Sequence, residues 1–190
     1  MSRRDLLENA AQCYEAAKAP AEAARCYYEA GAYRQAAALY TRLDMLREAA
    51  AAHAAGGRHE DGAWLLVHRL NDPEQARVML AKMARERGAD PLAANLVLAR
   101  CRVAEDGDLR AAIPLLATAA AALANRETRA DQRIEDWSVA LATAAHRYDQ
   151  AALIFAASVR GRRRRAADRW AAWSQQHLGT GLPPYEQETR

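Results

Sequence analysis

The chain has 190 residues, of which 51% are hydrophobic, and its formal net charge at pH 7 is +3. This length suffices for one continuous domain, and so small a charge does not by itself indicate a nucleic-acid-binding protein. The three cysteines are an odd number, which argues against a disulfide framework.

Residues 6 to 84 consist of six consecutive blocks of 13 residues, the fifth of which carries one extra residue. Each block has a small residue followed by stripe residues three and four positions later, the spacing of one buried face of a short helix. The small residues are Ala10, Ala23, Ala36, Ala49, Gly62 and Ala76. Because 13 residues leave corresponding side chains about 140° out of phase, the chain must turn between blocks.

The block boundaries carry the signals of helix ends and helix starts. The block ends carry Lys18, Gly31, Asp44, Gly57 and Asn71. Gly and Asn are the residues that a left-handed helix end accepts most easily, so we predict helix ends there. Prolines are predicted at first helical positions, two of them behind a capping aspartate: Pro20, Asp72-Pro73 and Asp90-Pro91. We therefore expect one short helix per block, with Cys13, Cys26 and His53 in the buried stripe.

The period loosens after residue 84, but helical spacing continues. We predict helices over 91 to 105, 109 to 124 and 131 to 146, with a turn at 106 to 108 and a loop at 125 to 130. Pro114 is expected to kink or to start the second of these helices. Residues 147 to 155 then align with residues 32 to 40 position for position.

A final helix is predicted over 162 to 177, beginning with four consecutive arginines. Its apolar face includes Trp170 and Trp173 and suits a cap over the preceding helix. The arginines leave two further alternatives open, an acidic protein partner and a phosphate backbone. The candidate basic patch consists of Arg162, Arg163, Arg164, Arg165 and Arg169. Residues 179 to 190 are predicted to be a flexible tail.

The stretch from Ala32 to Asp44 resembles the second helix of a tetratricopeptide repeat, and the stretch from Ala23 to Gly31 resembles the first helix with its closing glycine. The repeat is also similar to the short-helix solenoids of vesicle-coat and attachment proteins. This resemblance implies an all-α, right-handed α-solenoid of about ten to eleven short antiparallel helices that binds proteins without catalytic residues of its own. We expect one domain over 1 to 178, with clear repeats over 6 to 84 and looser repeats over 85 to 160.

Two large apolar residues of the fifth block, Trp64 and Val67, lie off the repeated stripe. One interpretation is that their helix is buried on both sides by its neighbours. The other is a partner-binding patch, since Trp, Tyr and Arg dominate binding hot spots. The candidate residues of this patch are Arg25, Tyr28, Arg47, Trp64 and Val67.

The sequence contains no recognisable catalytic, cofactor or metal motif. Gly56-Gly57-Arg58 lacks the spacing of a phosphate loop, and His59-Glu60-Asp61 is not a zinc-binding helix motif. We therefore predict that the protein is not an enzyme, uses no cofactor and binds no metal.

The leading hypothesis is a scaffold or adaptor that binds a peptide, helix or domain of another protein within a multi-protein assembly. The second is an anionic-surface or nucleic-acid binder that uses Arg162 to Arg169, which the small net charge disfavours. The third is a self-assembling structural subunit. Arginine supplies 25 of the 27 basic residues, which suggests a bacterial gene. With no evident signal peptide or membrane span, we expect a cytoplasmic protein that does not insert into a membrane.

Overall fold

The computed structural model of the protein describes residues 1–83, 91–127 and 131–181. Within these ranges the chain forms eleven α-helices and one short 3₁₀ helix, and it forms no β-strand. The helices are α1 (Arg3–Ala16), α2 (Pro20–Glu29), α3 (Tyr33–Arg42), α4 (Leu46–Ala55), α5 (His59–His68), α6 (Pro73–Met83), α7 (Pro91–Asp106), η1 (Arg110–Ala112), α8 (Ile113–Ala124), α9 (Gln132–Ala144), α10 (Tyr148–Arg160) and α11 (Ala166–Leu178). The all-α prediction is confirmed, whereas the right-handed and antiparallel arrangement stays a prediction.

The chain divides into two compact units, Met1–Asp90 and Pro91–Arg190. In the first unit each helix packs on the next one along the chain, from α1 to α6. In the second unit α10 packs on α8, α9 and α11, and α9 also packs on α7. Each unit is therefore an array in which every short helix is stabilised by the helices beside it. The single domain over 1 to 178 stays a prediction.

The predicted left-handed helix ends are confirmed. Lys18 and Asp44 have a φ of 58°, Gly31 has 76° and Gly57 has 74°. The next N–H donates to the carbonyl five residues back, as from Ala19 to Tyr14 at 2.9 Å, which is the Schellman pattern. The same closure recurs in the second unit at His146 and Arg162, both with positive φ. The two units thus share this form of helix end, and the looser repeats over 85 to 160 stay a prediction.

The extra residue of the fifth block is absorbed at the end of α5. There the N–H of Asp72 reaches six residues back to the carbonyl of Leu66 at 2.9 Å, and Asn71 has a φ of 51°. Asp72 also accepts a hydrogen bond from the N–H of Gln75 at 3.2 Å and so caps α6, which begins at Pro73. The predicted helix starts at Pro20, Pro73 and Pro91 are confirmed, while Asp90 lies outside the described residues.

Alanines and two tyrosines make up most of one cluster in the core of the first unit. Tyr27 and Tyr40 are both 8% exposed and pack among fully buried alanines. The prediction that Cys13 is buried was wrong, because α1 is the first helix of the array and its main packing partner in the described part of this unit is α2. Cys26, at the same repeat position in α2, is half-buried, as is His53.

The second unit follows the predicted elements, with one correction. η1 precedes α8 and Pro114 lies in the first turn of α8, so this proline starts a helix. The last helix begins at Ala166 rather than at residue 162, because Arg162 and Arg165 adopt left-handed backbone that interrupts a helix. The four arginines therefore lie in the turn before α11. Of the predicted tail, residues 182 to 190 lie outside the described residues.

Candidate protein-interaction surface

The structure places the five candidate patch residues in different surroundings. Trp64 is 7% exposed and stacks on His68 with ring centroids 5.0 Å apart, and Val67 is fully buried. Both side chains therefore lie in the interior of the first unit. This agrees with the interpretation that neighbouring helices bury their helix on both sides. Their role in binding stays a prediction.

The other three candidates lie nearer to solvent. Arg25 is exposed, and Tyr28, one turn later on α2, is 37% exposed and makes a T-shaped ring contact with Tyr33. Arg47 on α4 forms an ion pair with Asp72 at 3.2 Å. Arg25 and Tyr28 share a surface on α2, whereas the side chain of Arg47 is held by a carboxylate of its own unit.

Two arginines of the candidate basic patch make internal contacts. Arg169 on α11 binds the buried carboxylate of Glu135 on α9 through nitrogen-to-oxygen distances of 2.5 and 2.8 Å, and this hydrogen bonding raises the pKa of Arg169. Arg163 donates to the carbonyls of Ala122, Leu123 and Asn125 at 2.7 to 2.9 Å. These carbonyls close the C-terminus of α8, where a cation is favoured. Both guanidinium groups thus join α11 and its turn to the rest of the unit.

The remaining three arginines of the patch are exposed. Arg165 pairs with Asp168 at 3.0 Å, and both side chains are well exposed. Arg162 and Arg164 are also exposed. α11 packs on α10 through aromatic rings, since the ring centroid of Trp173 lies 5.8 Å from that of Tyr148 and 5.7 Å from that of Phe155. Its role as a cap stays a prediction.

A groove that the sequence did not reveal lies between α7 and the segment formed by η1 and α8. Its cavity volume is about 370 Å³. The lining residues are Asn95, Leu98, Ala99, Arg102, Asp108, Ala111, Ala112, Pro114, Leu115 and Thr118. On α7 they recur three and four residues apart, so one face of this helix forms one wall. A groove between two helices leaves room for a side chain or a helix of another molecule.

The groove is lined by both apolar and charged residues. Leu98 is 38% exposed although it is a large apolar residue, and Leu115 across the groove is half-buried. Arg102 and Asp108, both exposed, supply one charge of each sign to the lining. A concave, mostly apolar site with a few polar groups is the usual form of a binding site. The helical spacing of the lining residues from Asn95 to Arg102, at i, i+3, i+4 and i+7, can be recognised in the sequence. The distance between α7 and α8 cannot.

The described residues show no arrangement that indicates a metal centre. No group of three or more His, Cys, Asp or Glu side chains lies close enough together there to hold an ion. Asp61 of the histidine-containing segment pairs with Arg58 at 2.7 Å. None of the helices in the described ranges has the length and apolar character needed to span a bilayer.

Comparison of the chain with protein-family models, curated proteins and solved structures finds no match.

Proposed function

We propose that this protein is a non-catalytic, tetratricopeptide-like scaffold that binds a helical segment of another protein within a multi-protein assembly. Arrays of short helices rely on their neighbours for burial and expose extended surfaces that suit protein binding. Both units have this organisation, with sequential helix packing in the first. The arginine-rich composition supports a bacterial source for this scaffold, and we propose a cytoplasmic location for it.

The observation that carries the proposal is the groove between α7 and α8. An amphipathic helix places apolar side chains at i, i+3, i+4 and i+7, and α7 and α8 offer walls with the same spacing. Leu98 and Leu115 would contact the apolar face of the bound helix, and Arg102 and Asp108 would pair with charges beside that face. Their opposite signs favour one orientation of the bound helix over the reverse.

The test is a selection of amphipathic helical peptides from a display library against the folded protein, followed by affinity measurements. Leu98→Asp places a charge in the groove at an exposed position, so the fold should tolerate it. We expect this substitution to weaken binding of the selected peptides by at least about tenfold, which corresponds to about 1.4 kcal/mol.

The matched control is Leu153→Asp, because Leu153 on α10 is 56% exposed and does not line the groove. It should leave peptide affinity unchanged, and circular dichroism should show that both variants are folded. Equal weakening by both substitutions, or none by Leu98→Asp, would exclude the groove as the site. Light scattering on the same samples tests the self-assembling alternative, which predicts a mass that rises with concentration.

A further inference from the structure

The turn between α10 and α11 is anchored on the C-terminal end of α8. Gly161 lies so close to α8 that a Cβ atom there would be 1.9 Å from the carbonyl oxygen of Leu123. Arg163 donates to three carbonyls at the same helix end, and Nε of Arg126 donates to the carbonyl of Arg160 at 3.1 Å. The backbone of this turn is therefore fixed from both sides.

Four exposed arginines lie on or beside this turn, which we call the cationic turn: Arg126, Arg160, Arg162 and Arg164. None of the four forms an ion pair with a carboxylate in the part of the chain that the structure describes, whereas nearby Arg165 and Arg169 do. The contacts that hold the turn use the backbone of Arg160 and Arg164 rather than their side chains.

Arg162 and Arg164 lie on the turn, Arg160 ends α10 beside it, and Arg126 is hydrogen-bonded to it. These like charges repel each other, and no carboxylate of the described residues pairs with them. The side chains of Arg162 and Arg164 make no contact that the anchoring of the turn requires. Because the turn is rigid, a ligand that binds there does not need to order the backbone first, which lowers the entropic cost of association. The arrangement favours a ligand that carries several negative charges close together.

We propose that the cationic turn binds an acidic segment of a partner protein, with carboxylates paired to the forked guanidinium groups. Arginine binds carboxylates in a bidentate manner, which suits a short run of Asp or Glu. A single-stranded nucleic acid fits less well, because its bases would be expected to stack on nearby aromatic residues. The aromatic rings of α11 are instead packed against one another and against α10. The surface shares no residue with the groove, so this inference does not rest on the proposed function.

The test measures binding of a fluorescein-labelled poly-glutamate peptide and of a labelled short DNA duplex by anisotropy, at ionic strengths from about 50 to 150 mM. The variant is the double substitution Arg162→Glu and Arg164→Glu. We expect it to weaken peptide binding by at least about tenfold. Wild-type affinity for the peptide should fall as salt rises, and duplex binding at 150 mM should be absent or unaffected by the variant.

The control makes the same change in net charge elsewhere, with Arg3→Glu and Arg34→Glu, two exposed arginines of the first unit. Equal loss in the control would show that the peptide senses only total charge and would overturn the proposal. Duplex binding that depends on Arg162 and Arg164 while peptide binding does not would also overturn it, in favour of a phosphate-binding surface. Thermal unfolding distinguishes a structural role, since both arginines should be replaceable without a lower Tm.

Discussion

Arg169 of α11 donates two parallel hydrogen bonds to the carboxylate of Glu135 on α9, although the two residues are 34 positions apart in the chain. Glu135 is 1% exposed and the side chain of Arg169 is 28% exposed, so the pair is largely shielded from solvent. A third bond from Arg169 to the carbonyl of Arg164 extends this contact to the turn before α11. The last helix is thus attached to the second unit by a buried charge pair as well as by its aromatic face.

Breaking this pair from one side should strongly destabilise the protein. Arg169→Leu leaves the Glu135 carboxylate buried without its cation, and removing one partner of a buried pair costs about 3 kcal/mol or more. Urea unfolding of the variant should show this loss in the free energy of unfolding. The double variant Arg169→Leu with Glu135→Met should recover most of it, because no buried charge remains. A double variant as unstable as the sum of both single variants would contradict a direct interaction.

Gly161 predicts a second effect on stability. Gly161→Ala puts its Cβ against the backbone oxygen of Leu123, which cannot rotate away as a side chain would, so α8 and the turn must move apart. We expect a loss of about 2 to 3 kcal/mol in the free energy of unfolding, the upper range for overpacking. Gly31→Ala is the control, since a Cβ there meets nothing within 4 Å and only the left-handed backbone costs about 1 kcal/mol. Equal effects of the two substitutions would refute close packing at Gly161.

The left-handed helix ends predict that some substitutions stabilise the protein. Lys18 is exposed and adopts a φ of 58°, a conformation that glycine tolerates without the steric cost paid by other residues. Lys18→Gly should raise the free energy of unfolding by about 0.5 kcal/mol, because the steric gain exceeds the added entropy of the unfolded chain. Gly31→Lys, the reverse change at the equivalent turn, should lower it by about 1 kcal/mol. Thermal unfolding of both variants would show opposite shifts in Tm.

The features that the sequence predicted correctly are those that depend on neighbouring residues. A glycine or asparagine at a block end and a proline behind an aspartate report local backbone geometry, so Gly57, Asn71 and Pro73 identified turns and helix starts. The exposure of Cys13 depends instead on its place in the array, because the first helix packs on one neighbour where inner helices pack on two. A repeat pattern alone does not mark that difference.

The groove and the final turn depend on contacts between distant segments. The gap between α7 and α8 follows from how each packs on other helices, with α7 on α9 and α8 on α10, and no local pattern encodes that distance. Likewise, four arginines before an apolar stripe look like a helix start until Arg163 is seen to bind the end of α8. The sequence therefore identified the basic segment, but it did not show which of its side chains bind other parts of the unit.

Tyr27 and Glu15 make stability depend on pH in the alkaline range. The hydroxyl of Tyr27 donates to the carboxylate of Glu15 at 2.9 Å, and burial followed by this hydrogen bond raises the pKa of Tyr27. Burial also raises the pKa of Tyr40. A raised pKa means that folding favours the neutral phenol. The stability that each neutral phenol contributes is therefore complete below the pKa of an unfolded tyrosine, about 10. It is lost as pH rises through the higher pKa of the folded protein.

Replacing Tyr27 by Phe isolates the contribution of its hydroxyl group. At pH 7 to 8 the variant should be less stable by about 1 kcal/mol, the worth of one hydrogen bond. Above about pH 10 this difference should shrink. Tyr27 loses its proton there in the unfolded wild-type chain but keeps it in the folded protein, which lowers the wild-type free energy of unfolding. The Phe variant has no proton to lose at this position. Only two of the 27 basic residues are lysines, so few amino groups titrate in the same range. Urea unfolding at several pH values measures the difference, and a constant gap up to pH of about 11 would contradict the coupling between Tyr27 and Glu15.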